Sequence, residues 1–243
     1  MIEQGQRDSA EYQPACKLMM DDLNTAIDAA FAAGATEVVA CDTHGGGGQV
    51  KVEQMDARAV YETPNAGLKM PSLDESFSAL VLLGHHAKAG TLNGFLDHTE
   101  SSASWFEFRI NNQTVGEIGI EAAYAAHFGV PVIAVSGDEA TAAEARALLG
   151  EVECPLVTKG IGRNRARCLS TVQVHKCIHE AISEAVSDVR RFSPWKPGLP
   201  ATIELTVYRS DMADSYEGRP GIARVGPRTL RAQITSLKDI QIF

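Results

Sequence analysis

The sequence predicts an α/β fold, with a mostly parallel sheet sandwiched by helices and a smaller C-terminal α+β unit. Strand-like and helix-like segments alternate, with short connections, over roughly the first 160 residues. The strand-like segments are nearly continuous runs of Val, Ile, Leu and Ala, as is typical of strands covered on both faces. The three prolines of FSPWKPGLP then precede a strand with cleaner polar-apolar alternation. We therefore expect an α/β domain over residues 1–192 and a small α+β unit over residues 199–243.

The helices and strands are predicted from the spacing of apolar residues and from residues that end a helix or strand. In the first helix, apolar residues recur at helical intervals, and Gly34 follows as a C-terminal stop. The tail adds a short polar helix around SDMADSYEG and strands at ARVGP and TLRAQI. The predicted helices are 14–33, 117–129, 139–150 and 170–191. The predicted strands of the main alternation are 36–42, 78–84, 131–138 and 201–208.

Composition excludes several classes of function. The net charge is −9 and the basic residues are scattered, apart from a small cluster at 159–167, so nucleic acid is not an expected partner. No apolar run approaches the length of a membrane span, and the first residues are polar, so we expect a cytoplasmic protein without membrane contact. The five cysteines form no C-x-x-C pair, which argues against a disulfide framework and a thiolate zinc site.

Histidine and carboxylate side chains follow the predicted strands. In open α/β sheets, functional residues gather beyond the carboxyl ends of strands. His44 leaves a strand in VVACDTHGGGG, and His85 and His86 leave another in ALVLLGHHAKAG. Glu117 lies at the predicted N-terminus of a helix in TVGEIGI, where the helix dipole stabilises a carboxylate. A site built from His44, one of His85 and His86, and Glu117 would suit zinc and would have catalytic character, with positions left open for water.

Plainer interpretations stay open for each residue. His44 can be a loop residue without a ligand role, and Glu117 can be an ordinary charge at a helix N-terminus. His85 and His86 point to opposite sides if strand geometry continues, so at most one should face the crevice. The basic cluster at 159–167 is interpreted as a solvated loop, with binding of an anionic group as the alternative. The histidines on predicted helices, at 127, 175 and 179, are interpreted as solvated or packed.

Four stretches together resemble the zinc-dependent D-aminopeptidases of peptidase family M55. These stretches are AAGATEVVACDTHGGGG, ALVLLGHHAKAG with LDHT downstream, INNQTVGEIGIEAAYAAHFGVPVIAVSGDEA, and VTKGIGRNRARCLS. They occur in the family's order and at similar intervals over most of residues 11–175, which makes the resemblance specific.

The resemblance implies a role for individual residues. The histidine ligand of the family's D-S-H motif falls on His44, and the histidine ligand of its G-Y-H-A-R-A motif falls on His86, with His85 in place of the tyrosine. The glutamate ligand of V-G-E-L-G falls on Glu117. The active-site histidine of S-H-S, which is not a ligand in the family, falls on His98.

One family motif has no counterpart at the start of the chain. Family members open with a strand ending in D-x-E-G, whose aspartate and glutamate both bind metal. Residues 1–10 contain no D-x-E-G and no apolar run, and Glu3 and Asp8 are poor substitutes. Either the recorded chain begins at an internal methionine, or this protein has lost two ligands. We favour the first interpretation, because a sheet without a central strand would expose unpaired edges.

The resemblance also implies an activity and an assembly. The expected activity is hydrolysis of short peptides with an N-terminal D-residue, such as D-Ala-D-Ala, by a zinc-activated water, with two zinc ions per chain if the missing ligands are present. The expected assembly is a homo-oligomer, with a decameric ring as one candidate and the C-terminal unit in its contacts. Two alternatives remain at this point: a noncatalytic binding protein on the same fold, and a related metal-dependent amidohydrolase.

Overall fold

The computed structural model describes residues 8–44, 47–64 and 70–243. Residues 1–7, which include most of the segment compared with D-x-E-G, lie outside the described residues, as do the first two positions of the glycine run 45–48. The helices are α1 Tyr12–Ala32, α2 Glu117–His127, α3 Glu139–Leu149, α4 Thr171–Ser187 and α5 Ser210–Asp214. Helices α2 and α3 begin at the predicted residues.

The parallel strands of the first part form two pairs among the described residues. The four strands are β1 Val39–Cys41, β2 Val60–Glu62, β3 Leu80–Leu82 and β6 Val132–Val135. Strand β1 pairs with β2, and β3 pairs with β6. Parallel bridges from Ala134 to Glu153 and from Gly137 to Leu156 extend the second pair. The predicted α/β fold is confirmed. Its parallel strands are the β1–β2 and β3–β6 pairs, and helices pack against them.

The largest sheet is antiparallel and has five strands in the order β10-β11-β9-β4-β5. Its strands are β4 Trp105–Ile110, β5 Gln113–Val115, β9 Ala201–Val207, β10 Ile222–Arg224 and β11 Thr229–Ile234. Strands β4 and β5 form a hairpin that the sequence analysis did not predict. Its two turn residues, Asn111 and Asn112, have φ values of 48° and 67°, which asparagine tolerates better than most residues.

The sheet joins the two ranges that the sequence analysis separated. Strand β9 pairs with β4, so Phe108 lies opposite Leu205. The C-terminal strands therefore share a sheet with residues of the first range, and the division between 192 and 199 stays a prediction.

Helix α2 lies at the centre of the packing. Ile120 and Tyr124 pack with residues of the antiparallel sheet, including Phe108. Ile118, on another side of the helix, packs with Leu82 of β3 and with residues of β6. Because both faces of α2 are buried, its N-terminus is held at a fixed place beside the end of β3.

Two further units lie around this centre. Helices α1 and α4 pack against each other and bury Ile27, Ile178 and Ile182. Strands β7 Thr158–Gly162 and β8 Arg165–Cys168 form a hairpin that contains the basic cluster. No helix in the part of the chain that the structure describes is long and apolar enough to cross a membrane.

Candidate metal centre

Three side chains from different segments converge beyond the end of β3. His86 follows β3, His98 lies in the next loop, and Glu117 is the first residue of α2. One ligand atom from each lies within 4.8 Å of the other two. Nε2 of His86 is 3.5 Å from Oε1 of Glu117, and Nε2 of His98 is 3.6 Å from the same oxygen. Of the residues predicted to form the site, these three form the compact group.

Backbone carbonyls orient both rings. Nδ1 of His86 lies 3.1 Å from the carbonyl oxygen of Ala87, and Nδ1 of His98 lies 2.7 Å from that of Leu96. A carbonyl oxygen can only accept, so each Nδ1 carries the proton in these hydrogen bonds. In a neutral ring the Nε2 then presents a lone pair, and both lone pairs face Glu117.

Burial keeps His86 neutral. The pKa of His86 is lowered to about 4, mainly by desolvation; Glu117 opposes this shift, and the nearby His98 and His85 contribute to it. The rings of His86 and His98 stack with centroids 3.8 Å apart, so two positive rings would repel each other. At neutral pH His86 therefore offers its Nε2 lone pair.

The group fits a zinc ion. An imidazole nitrogen of His86 and a carboxylate oxygen of Glu117 converge, an arrangement that a bound cation stabilises. Both are common zinc donors, and ligand atoms at 2.0–2.1 Å from zinc lie roughly 3.3 Å apart in tetrahedral geometry. The distance of 3.5 Å between Nε2 of His86 and Oε1 of Glu117 is close to that spacing, and His98 stands beside this pair, where the family resemblance places a histidine that is not a ligand. The carbonyls behind both rings supply the usual outer support of metal-bound histidines.

His44 lies outside this compact group but is oriented in a similar way. Its Nδ1 is 3.2 Å from Oδ1 of the buried Asp42, and its Nε2 lies beside Gly84, at the end of β3. The other oxygen of Asp42 accepts hydrogen bonds from the backbone of Gln49 and Val50. Burial raises the pKa of Asp42, but hydrogen bonds from His44, Gln49 and Val50 outweigh it and lower the net value. Asp42 thus both supports the histidine and organises the turn after β1.

His85 faces a different carboxylate from that of its neighbour. Its Nε2 lies 3.1 Å from Oε2 of Glu121, whose side chain is buried, while that of His85 is 11% exposed. Glu121 is one helical turn after Glu117, so α2 presents one carboxylate to each of the two adjacent histidines. Glu121 was not predicted as a site residue, although a glutamate four residues after Glu117 in an otherwise apolar helix is a visible signal.

Hydrogen bonds also fix the loop that carries His98. Asp138 accepts from the backbone N–H of Phe95 at 2.7 Å, and Asp97 accepts from that of Gly90 at 2.7 Å. The N–H of His98 donates to the carbonyl of Ala87. The backbone N–H of Glu100 donates to Oε1 of Glu117 at 2.8 Å. The loops of His86 and His98 and the start of α2 are therefore tied directly to one another.

The basic cluster lies at the border of this loop. Nε of Arg163 donates to the carbonyl of Asp97, and Lys159 pairs with Glu139 at 3.0 Å. The predicted solvated cluster is thus partly engaged in contacts that hold the His98 loop. Whether it binds an anionic group stays a prediction.

Comparisons with known proteins agree with this geometry. The family model described as D-aminopeptidase, Peptidase M55, matches residues 1–242. A D-aminopeptidase of Bacillus subtilis (strain 168) is 29% identical over 241 residues, which cover 98% of this chain and 86% of the relative. A solved structure, the Zn-dependent D-aminopeptidase DppA from Bacillus subtilis, a self-compartmentalizing protease, superposes with a TM-score of 0.92 at 26% identity, covering 97% of this chain and 86% of that chain. The chain belongs to the D-aminopeptidase family, peptidase family M55.

Proposed function

We propose that this protein is a zinc-dependent aminopeptidase that hydrolyses short peptides with an N-terminal D-amino acid, such as D-Ala-D-Ala. The observation that carries the proposal is the convergence of two imidazole Nε2 atoms on one carboxylate oxygen. Family membership supplies the reaction class and the preference for D-residues.

Each residue has a proposed role. His86 and Glu117 would hold a zinc ion, and His44 would supply a further histidine ligand from the end of β1. A second zinc ion would be bound only if the D-x-E-G carboxylates expected from the resemblance are present. Zinc supplies a water that is acidic enough to act as a nucleophile at neutral pH and polarises the scissile carbonyl. His98 is the proposed catalytic residue.

The geometry suits His98 for proton transfer. The carbonyl of Leu96 holds its Nδ1, so its Nε2 is the atom that can take or give a proton at the reacting group. Stacking against His86 keeps that nitrogen beside Glu117. Once protonated, the ring can stabilise negative charge that develops on the carbonyl oxygen.

The experiment combines metal analysis with a substrate series. The purified full chain is expected to bind zinc, to hydrolyse D-Ala-D-Ala faster than L-Ala-L-Ala, and to lose activity with 1,10-phenanthroline until zinc is restored. A chain that binds no metal after reconstitution would instead be the noncatalytic binding protein. A chain that cleaves simple amides but neither peptide would be an amidohydrolase.

We further propose a cytoplasmic homo-oligomer. The support is the solved relative, which is itself described as a self-compartmentalizing protease. An enclosed chamber would admit short peptides and exclude folded proteins. Light scattering on the purified protein measures the assembly, and a monomer at micromolar concentration would contradict it.

A further inference from the structure

We infer that Glu144, on α3, is a positioning residue that sets the spacing between His86 and Glu117. The inference rests on the proposed function, because it concerns how this chain prepares the same metal site. Glu144 was not among the residues predicted from the sequence, and its side chain is only 7% exposed.

Each oxygen of Glu144 binds a different segment of the site. Oε2 accepts a hydrogen bond of 2.8 Å from the backbone N–H of Lys88, two residues after His86. Oε1 accepts one of 3.2 Å from the backbone N–H of Gly116, immediately before Glu117. One carboxylate therefore bridges the segments that carry two of the three converging side chains. Hydrogen bonds to an ionised acceptor are stronger and shorter than neutral ones.

The bridge rests on a fixed support. Asp138 precedes α3 and accepts from the N–H and the hydroxyl of Thr141, which secures the start of the helix. Ala142 and Ala145 are buried against β6 and α2. Since α3 is held at its start and along its buried face, the carboxylate of Glu144 has a defined place from which to hold both segments.

Gly116 shows how closely the two segments approach. A Cβ atom at this position would lie 2.7 Å from Cβ of Lys88 and 2.8 Å from Oε1 of Glu144. The φ of Gly116 is −101°, which any residue can adopt. Glycine is therefore needed for the close approach, and a methyl group there would separate the segments without straining the backbone.

This spacing matters because metal ligands tolerate little displacement. Zinc sites need ligand distances correct to within about 0.2 Å. Gln in place of Glu144 keeps the shape but offers one acceptor, and its amide N–H₂ would face a backbone N–H. One of the two hydrogen bonds would be lost, and the distance between His86 and Glu117 would no longer be fixed.

The test measures zinc affinity by calorimetry on the metal-free full chain, together with kcat, KM and Tm. We expect Glu144→Gln to weaken zinc binding by roughly 10- to 100-fold, as outer-shell substitutions do, and to lower kcat more than it raises KM. Glu139→Gln is the matched control, since Glu139 lies on the same helix and its exposed side chain pairs with Lys159. Gly116→Ala should reproduce the loss of zinc affinity, and Gly226→Ala, where a Cβ meets nothing closer than 3.6 Å, should not.

The outcomes separate this inference from the proposed function. Unchanged zinc affinity and kcat in both Glu144→Gln and Gly116→Ala, in a wild type that binds zinc and cleaves D-Ala-D-Ala, would overturn the inference alone. A lower Tm with wild-type zinc affinity would also overturn it, because Glu144 would then be only structural. A wild type that binds zinc without cleaving D-peptides would refute the proposed substrate, while weaker binding in the variants would still support the role of Glu144.

Discussion

The two histidines of the candidate metal centre and the two histidines of α4 all face carboxylates, but the first pair shares one glutamate and the second pair faces two separate aspartates. In the candidate metal centre, His86 and His98 use Nδ1 on backbone carbonyls and direct Nε2 to a single glutamate. On α4, His175 and His179 each face an aspartate of their own on α1, Asp22 at 3.4 Å and Asp28 at 3.8 Å. The side chains of the first pair are 15% and 17% exposed, and those of the second are 33% and 44% exposed.

The difference comes from the elements that carry the histidines. Carbonyls within a helix are already engaged in helical hydrogen bonds, so a histidine on α4 has no nearby backbone acceptor to fix its tautomer. Loops leave carbonyls free, and the long connection between β3 and β4 folds back so that the rings of His86 and His98 stack. Convergence on one carboxylate therefore follows from loop positions, whereas the i, i+4 pair on α4 makes separate contacts with two aspartates.

Replacing His86 is the strongest way to test this contrast. His86→Ala should abolish zinc binding and peptidase activity together, because it removes a ligand from the centre of the group. Zinc content by mass spectrometry and the rate of D-Ala-D-Ala hydrolysis measure the effect. His179→Ala is the matched control and should keep both, with a change in stability within about 0.5 kcal/mol. Wild-type metal content in His86→Ala would refute its assignment as a ligand.

His98 tests the roles within the group. His98→Ala should keep zinc bound and lower kcat by roughly 10²- to 10⁴-fold, since general acid-base groups contribute by that factor. Its place among the three converging side chains makes the metal measurement decisive. Loss of zinc in this variant would identify His98 as a ligand and contradict its assignment as the catalytic residue. His175→Ala provides a comparison at a histidine outside the site.

A smaller effect, on stability, is expected where α1 packs against α4. The pKa of Asp22 is raised to about 6, mainly by burial, with a smaller opposing effect of His175 and a smaller raising effect of Asp21. The folded state therefore binds this proton more tightly than the unfolded state, whose carboxyl titrates near 3.8. The associated stability is fully present below pH 3.8 and is lost as the pH rises through 6.

Asp22→Asn should consequently stabilise the protein at pH 7.5 by roughly 1 to 2 kcal/mol and have little effect near pH 3.5. Urea unfolding of both proteins at the two pH values measures this difference. An equal change at both pH values would show that ionisation of Asp22 is not its origin.

The sequence predicted the alternation around the site well because its strands and helices have strong local patterns. The apolar run before Gly84 and the apolar helix after Glu117 made both elements visible. The hairpin of β4 and β5 was missed despite its Asn-Asn turn, and the pairing of β4 with β9 joins residues nearly a hundred positions apart, which no local pattern can reveal.

The site was predictable in its residue types and less so in its geometry. His98 stacks on His86 because its loop takes positive φ at Asn93, Leu96 and Glu100, and these residue types give no clear warning of that conformation. Glu144 was missed for a related reason. Its importance lies in two backbone N–H groups far away in sequence, which have no residue-specific pattern.

The buried helix α2 has one further consequence. Glu117 and Glu121 lie on successive turns of α2. Any translation of the helix along its axis, or rotation about it, would therefore alter the surroundings of His85 and His86 together. Gly119, midway between the two acids, is wedged where an added methyl group would come within 2.7 Å of Val115 and 3.1 Å of Leu148. A substitution at this buried glycine would therefore change the surroundings of both imidazoles together.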